Sequence, residues 1–118
     1  MGGGVPARDE RLNPANLVAC PKTIYDLWVE YTTGLGGNKA ACEFTEHERG
    51  KVRYKYCRRK IVWDTISNMC RRNISADVAI DRIYSQCGGV GTPVSKVIAD
   101  LKRFRREGNG ALFITAGT

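Results

Sequence analysis

The chain has 118 residues, of which 42% are hydrophobic, which is enough for one compact domain but too few for two of ordinary size. Nineteen Lys and Arg residues outnumber twelve Asp and Glu, and the formal charge of +7 favours a polyanionic partner. No stretch reaches the roughly 18 apolar residues of a membrane span, and the first ten residues lack the apolar core of a signal peptide. We therefore expect a soluble protein that is not secreted and has no membrane partner.

The five cysteines are odd in number and widely spaced, at positions 20, 42, 57, 70 and 87. This pattern predicts free thiols in a reducing compartment rather than a disulfide framework. There is no C-x-x-C pair and His47 is the single histidine, so the spacing argues against a zinc site. Because His47 has no identifiable Ser or Cys partner, we expect no enzyme activity, no cofactor and no metal.

Residues 1–20 carry three consecutive glycines and two prolines and are predicted to be a flexible lead-in. Thr23 and Asp26 have the spacing of a capping box, which predicts a first helix over about 23–33 that the following glycines end. Asn38 is then placed to cap a short second helix that runs through Cys42 and Phe44.

A second capping box, Thr45 to Glu48, predicts a long third helix. One apolar stripe should face the core and consists of Val52, Tyr56, Trp63, Ile66 and Cys70, with Val62 and Met69 at its edge. Arg59 also projects onto this stripe. Either its stem lies along apolar surface with the guanidinium reaching out, or it pairs with a carboxylate inside the fold.

Two further helices follow. Ser75 is predicted to cap the fourth, which ends at Gly88, and Thr92 to cap the fifth, with Pro93 at the first helical position and the end near Gly108. The sequence thus predicts an all-α fold, a compact bundle of about five helices with a helix-turn-helix-like C-terminal pair, over residues 21–108. Residues 109–118 are left as a C-terminal tail.

The most informative segment runs from Arg49 to Lys60, where seven of twelve residues are basic and none is acidic. Like charges at this density destabilise a helix unless an anion neutralises them, and the phosphates of duplex DNA are the evident anion. The outer face of the fifth helix adds further cations, so either helix could enter the major groove. The candidate DNA-binding residues are Arg49, Lys51, Arg53, Tyr54, Lys55, Arg58, Arg59, Lys60, Lys96, Lys102, Arg103 and Arg106.

Two segments carry a family resemblance: residues 27–36 (LWVEYTTGLG) and residues 53–61 (RYKYCRRKI). Together they resemble the C-terminal DNA-binding domain of the yeast glycolytic-gene transcription activator, a domain similar to parts of other fungal regulators and of crypton-type tyrosine recombinases. The resemblance covers about 23–84. It implies a helical domain that binds duplex DNA, with Arg53, Arg58, Arg59 and Lys60 as basic contacts. Where fungal members have a Trp-Arg pair this chain has Val52 and Arg53, so the preferred DNA sequence is left open.

These observations favour a sequence-specific module that binds double-stranded DNA, located in the nucleus, in a transcription regulator or a transposon-derived protein. The alternative is a protein-interaction or dimerisation module in which the basic helix meets an acidic partner. RNA binding is less favoured, because no stacking sheet or clamp loop is predicted. A homodimer is left open.

Overall fold

The computed structural model describes residues 13–108, and within this range the chain forms five α-helices, one 3-10 turn and no strand. The all-helical prediction is confirmed. The N-terminal part of the predicted lead-in (1–12) and the predicted tail (109–118) lie outside the described residues. The helices are α1 (Ile24–Thr32), α2 (Glu46–Lys51), α3 (Arg53–Arg71), α4 (Ala76–Cys87) and α5 (Val94–Arg106), and the 3-10 turn is Ala41–Glu43.

The long helix α3 is the centre of the fold. It packs against α1, α4 and α5, and α4 and α5 also contact each other. Trp63, Ile66 and Met69 of the predicted stripe are fully buried, and the predicted apolar faces of α4 and α5 lie in the same core. Ile61 is buried as well, although it projects to the opposite side of α3 from Trp63, because α3 is covered by helices on more than one side.

The predicted third helix is broken in the structure. α2 ends at Lys51 and α3 begins at Arg53, because Val52 adopts φ −121° and ψ 32°, outside the helical range. Gly50 and the β-branched Val52 are both weak helix formers, which accounts for a break at this point. Arg49 and Lys51 therefore do not continue the rows of cations that a single helix would have presented.

Two helix starts also differ from the prediction. The short second helix is a 3-10 turn whose N-cap is Ala40, not Asn38. Pro93, not Thr92, is the N-cap of α5, and the Thr92 hydroxyl instead donates a hydrogen bond to the Gly89 carbonyl at 2.6 Å, closing the turn before α5. The Thr23, Thr45 and Ser75 caps are confirmed.

A glycine ends α1 as predicted. Gly34 has φ +98°, and a Cβ placed there would lie 2.1 Å from the Asn38 carbonyl oxygen. No other residue type fits this close approach in a left-handed conformation. The Gly34 amide donates to the Val29 carbonyl at 2.8 Å, which closes the last turn of α1.

The packed domain begins before the boundary at residue 21. Leu17 is buried in the core cluster, and the Pro14 carbonyl accepts a hydrogen bond from the Lys39 amide at 2.8 Å. This segment shows no periodic pattern of apolar residues because it has no regular secondary structure, yet its contacts hold it against the helices.

Candidate nucleic-acid interface

A buried ion pair lies beneath the basic surface. The Arg59 side chain is 3% exposed and that of Glu30 is 0% exposed, and Arg59 Nη1 donates to both Glu30 carboxylate oxygens at 2.8 and 3.0 Å. Arg59 Nη2 also donates to the Val18 carbonyl at 2.6 Å, and the Val18 amide donates to Glu30 Oε2 at 2.9 Å. Of the two alternatives for Arg59, the internal pair is correct. The sequence analysis predicted Arg59 as a DNA contact. The side chain is unavailable for that role, because its donors are already used inside the fold.

The neighbouring cations of α3 remain at the surface, where they meet α5. Arg53, Tyr54, Cys57 and Arg58 of α3 and Lys102 of α5 line one cleft, which has a volume of about 540 Å³; we call it the α3/α5 cleft. Among the described residues, no carboxylate lies within 4 Å of its three cationic groups. The fold thus brings predicted site residues from two distant segments into one unneutralised surface.

A second cleft lies on the other side of Tyr54. It has a volume of about 310 Å³ and shares Arg53 and Tyr54 with the first; we call it the N-terminal cleft. Its lining residues are Asn16, Lys51, Val52, Arg53, Tyr54 and Lys55. Asn16 reaches this cleft because the segment before α1 is held in place, in part by the Lys55 ammonium donating to the Leu17 carbonyl at 3.5 Å.

Arg49 is placed differently from the cations of α3. Its guanidinium donates to the Phe44 carbonyl at 3.4 Å and lies 5.8 Å from the centre of the Tyr56 ring. The side chain is half-buried and lines neither cleft. The structure therefore separates Arg49 from the candidates that surround Tyr54.

Lys60 has an acidic partner. Its ammonium donates to Asp64 at 2.8 Å, one turn further along α3, and this hydrogen bond raises the pKa of Lys60 above its usual value. Both side chains are about half exposed. A surface pair of this kind contributes little stability, so the Lys60 ammonium can exchange Asp64 for another anion.

The cations of α5 divide between two flanks. Lys96 pairs with Asp100 at 2.6 Å and also donates to the Cys87 carbonyl, and Arg103 lies 3.5 Å from the same carboxylate. On the helical projection this flank is opposite to Lys102. Lys96 and Arg103 are thus tied to the α4–α5 side and are not brought to the clefts.

Sequence reasoning missed one cation and one polar residue at this surface. Arg105 lies close enough to α3 for its charge to oppose, weakly, the rise in the pKa of Lys60 that Asp64 causes. Its i,i+3 spacing from Lys102 was the available signal, but only the packing of α5 on α3 shows which flank matters. Asn16 had no signal at all, because it lies in an irregular segment. Arg106 is exposed on the α5 flank nearer Lys102.

Within residues 13–108, no group of His, Cys, Asp and Glu side chains could hold a metal ion, and no helix is long and apolar enough to cross a membrane. The cysteines of this range are unpaired. Cys57 is exposed in the α3/α5 cleft, whereas burial raises the pKa of the Cys87 thiol to about 11.

Comparison with known proteins gives one family. The sequence profile of a family described as "Transcriptional activator of glycolytic enzymes" matches residues 16–85, which is 70 of the 118 residues. The match begins in the packed segment before α1 and ends in α4. No curated protein and no solved structure is significantly similar to the chain.

Proposed function

We propose, since the chain belongs to the family of transcriptional activators of glycolytic enzymes, that it is the DNA-binding module of a nuclear transcription regulator. In this proposal it binds the phosphates of double-stranded DNA in a sequence-specific manner. The contacts come from the N-terminal half of α3 and from the flank of α5 that carries Lys102.

The observation that carries this proposal is the set of cations around the α3/α5 cleft. Arg53, Arg58 and Lys102 converge from two helices without a neutralising carboxylate among the described residues. Convergent positive charge of this kind is unfavourable in the free protein and becomes favourable when it neutralises DNA phosphates, because the counterions condensed on the DNA are then released into solution. Arg59 is not part of this surface, because its side chain is buried and paired with Glu30.

Fluorescence anisotropy of a labelled random-sequence duplex, titrated at several salt concentrations, tests the proposal. Each phosphate contact contributes about −0.9 to the slope of log K against log salt. The double variant Arg53→Gln/Arg58→Gln should therefore reduce the size of that slope by roughly 1.8. Arg71→Gln/Arg72→Gln is the matched control, because it removes the same charge from the last residue and the C-cap of α3, about 20–28 Å along the helix axis from the test residues.

A second test uses the wild-type protein. Cys57 is exposed in the α3/α5 cleft and Cys20 is exposed outside both clefts. Saturating duplex should slow the alkylation of Cys57 by iodoacetamide while leaving that of Cys20 unchanged. Binding that ignores salt, a control variant that loses as much as the test variant, or equal alkylation of Cys57 with and without DNA would each contradict the proposal.

A further inference from the structure

Tyr54 is the most exposed aromatic side chain among the described residues. It is 80% exposed in the first turn of α3, and its ring takes part in none of the contacts that link the other aromatic residues of the fold. Those contacts join Trp28, Tyr31, Phe44, Tyr56 and Trp63 into one packed row. Tyr54 therefore contributes nothing to the core.

The surroundings of Tyr54 are specific. It stands with Arg53 as the wall between the α3/α5 cleft and the N-terminal cleft, and cations line both sides: Arg58 and Lys102 on one, Lys51 and Lys55 on the other. The break at Val52 makes this point the end of a helix rather than its middle, so α2 does not continue the axis of α3 past Tyr54. An exposed aromatic residue thus forms a ridge with a positive cleft on either side.

We propose that this ridge enters the major groove of duplex DNA, that the two clefts bind the phosphates of the two strands that border the groove, and that Tyr54 contacts the bases. The inference rests on the proposed function and adds to it a docking geometry and a specificity-determining residue.

The dimensions and the chemistry agree with this geometry. The major groove is about 12 Å wide and an α-helix with its side chains measures about 10–12 Å. Phosphate contacts on both sides fix the register of a protein on the duplex, whereas only contacts to base edges distinguish one sequence from another. Among the residues that line the two clefts, Tyr54 has both an apolar ring for a thymine methyl group and a hydroxyl for a base edge.

The buried Glu30–Arg59 pair positions one of the two clefts. Glu30 and Arg59 hold Val18 by its amide and its carbonyl, and Asn16 lies two residues before Val18. The wall of the N-terminal cleft is therefore anchored from inside the core. The Asn16 side-chain amide, which lines this cleft, would then donate to a phosphate on the strand opposite to the one that Arg58 contacts.

Selection from a library of random duplexes, carried out in parallel with wild type and Tyr54→Ala, tests the role of Tyr54. Wild type should enrich a defined motif, and Tyr54→Ala should lose the preference at one or two positions of it. Affinity for the duplex that wild type enriches should fall about ten-fold, with a much smaller loss on a random duplex. Tyr25→Ala is the control, because Tyr25 is 54% exposed on α1 and lines neither cleft.

The two clefts are tested separately by Lys51→Gln and Arg58→Gln. Each should reduce the size of the salt slope by about 0.9, and ethylation interference on the enriched duplex should be lost on one strand for the first variant and on the other strand for the second. The same motif from Tyr54→Ala as from wild type, or interference lost on one strand for both variants, would overturn the inference. Salt-dependent binding without any enriched motif would also overturn it, together with the sequence specificity of the proposed function, but would leave duplex-DNA binding itself standing. Absence of salt-dependent duplex binding, or a preference for single-stranded RNA, would overturn both.

Discussion

The Glu30–Arg59 pair permits a quantitative prediction about stability. Replacing Arg59 with Met preserves the apolar stem but leaves the Glu30 carboxylate, which is 0% exposed, with the Val18 amide as its remaining donor in the contacts described above. Breaking a buried pair by removing one partner costs about 3–5 kcal/mol, since a charge stays in the interior without compensation. A domain of this size is stable by about 5–15 kcal/mol, so Arg59→Met should lose roughly a fifth or more of its free energy of unfolding.

Urea unfolding followed by tryptophan fluorescence measures this loss. Trp63 is fully buried and its indole Nε1 donates to the Leu27 carbonyl at 2.8 Å, so its emission reports on the same core. With an m value of about 1.5 kcal/mol/M, the midpoint should fall by about 2–3 M. Lys60→Met is the neighbouring control: it breaks an exposed pair and should cost less than about 1 kcal/mol.

A double-mutant cycle separates the pair from the packing of its two stems. Glu30→Met/Arg59→Met leaves no buried charge, so it should be less destabilised than the sum of the two single variants by several kcal/mol. Strict additivity, or an Arg59→Met variant within about 1 kcal/mol of wild type, would refute the view that this pair anchors the fold.

Three further predictions follow from other sites. Burial raises the pKa of Cys87 to about 11, so at pH 8 Cys87 of the native protein should be alkylated slowly. Because the folded state disfavours the thiolate, the free energy of unfolding of the protein should decline as pH rises from about 9 through 11. Mass spectrometry showing Cys87 modified as fast as the exposed cysteines would contradict this. Asp64→Asn frees Lys60 from its ion pair and removes a negative charge from this surface. Duplex affinity in the anisotropy assay should therefore rise about two- to three-fold. An unchanged affinity would exclude Lys60 as a contact. Gly34→Ala should destabilise the fold by at least about 3 kcal/mol in urea, against about 1 kcal/mol for Gly37→Ala, which has positive φ but open space at its Cβ; equal losses would show that the close approach is unimportant.

The helices themselves were predictable because their signals are local. Thr23 and Ser75 each cap the helix predicted for them, Thr45 caps a helix at the predicted start point, and apolar spacing identified the faces of α4 and α5. The break at Val52 was not predicted, because a strong capping box and the absence of proline favoured one continuous helix. The conformation of a single β-branched residue after Gly50 decided otherwise.

The candidate site was predictable in composition but not in arrangement. Charge density identified Arg53 and Arg58, yet it assigned the adjacent Arg59 to the same surface, since a sequence does not show which of two neighbouring arginines has a buried carboxylate to meet. Periodicity likewise predicted that the cations of α5 share one outer face. In the structure Asp100 holds Lys96 and Arg103 on one flank, away from Lys102. Partner choice of this kind depends on long-range packing that no local pattern encodes.

The two consecutive arginines at positions 58 and 59 are constrained by different contacts, one at the surface and one in the core. Arg59 is matched to Glu30 across 29 residues of sequence, so we expect these two positions to covary among relatives and to be replaced together or not at all. Arg58 lines the α3/α5 cleft and has no partner of this kind in the core, so its replacement need not be accompanied by a second change.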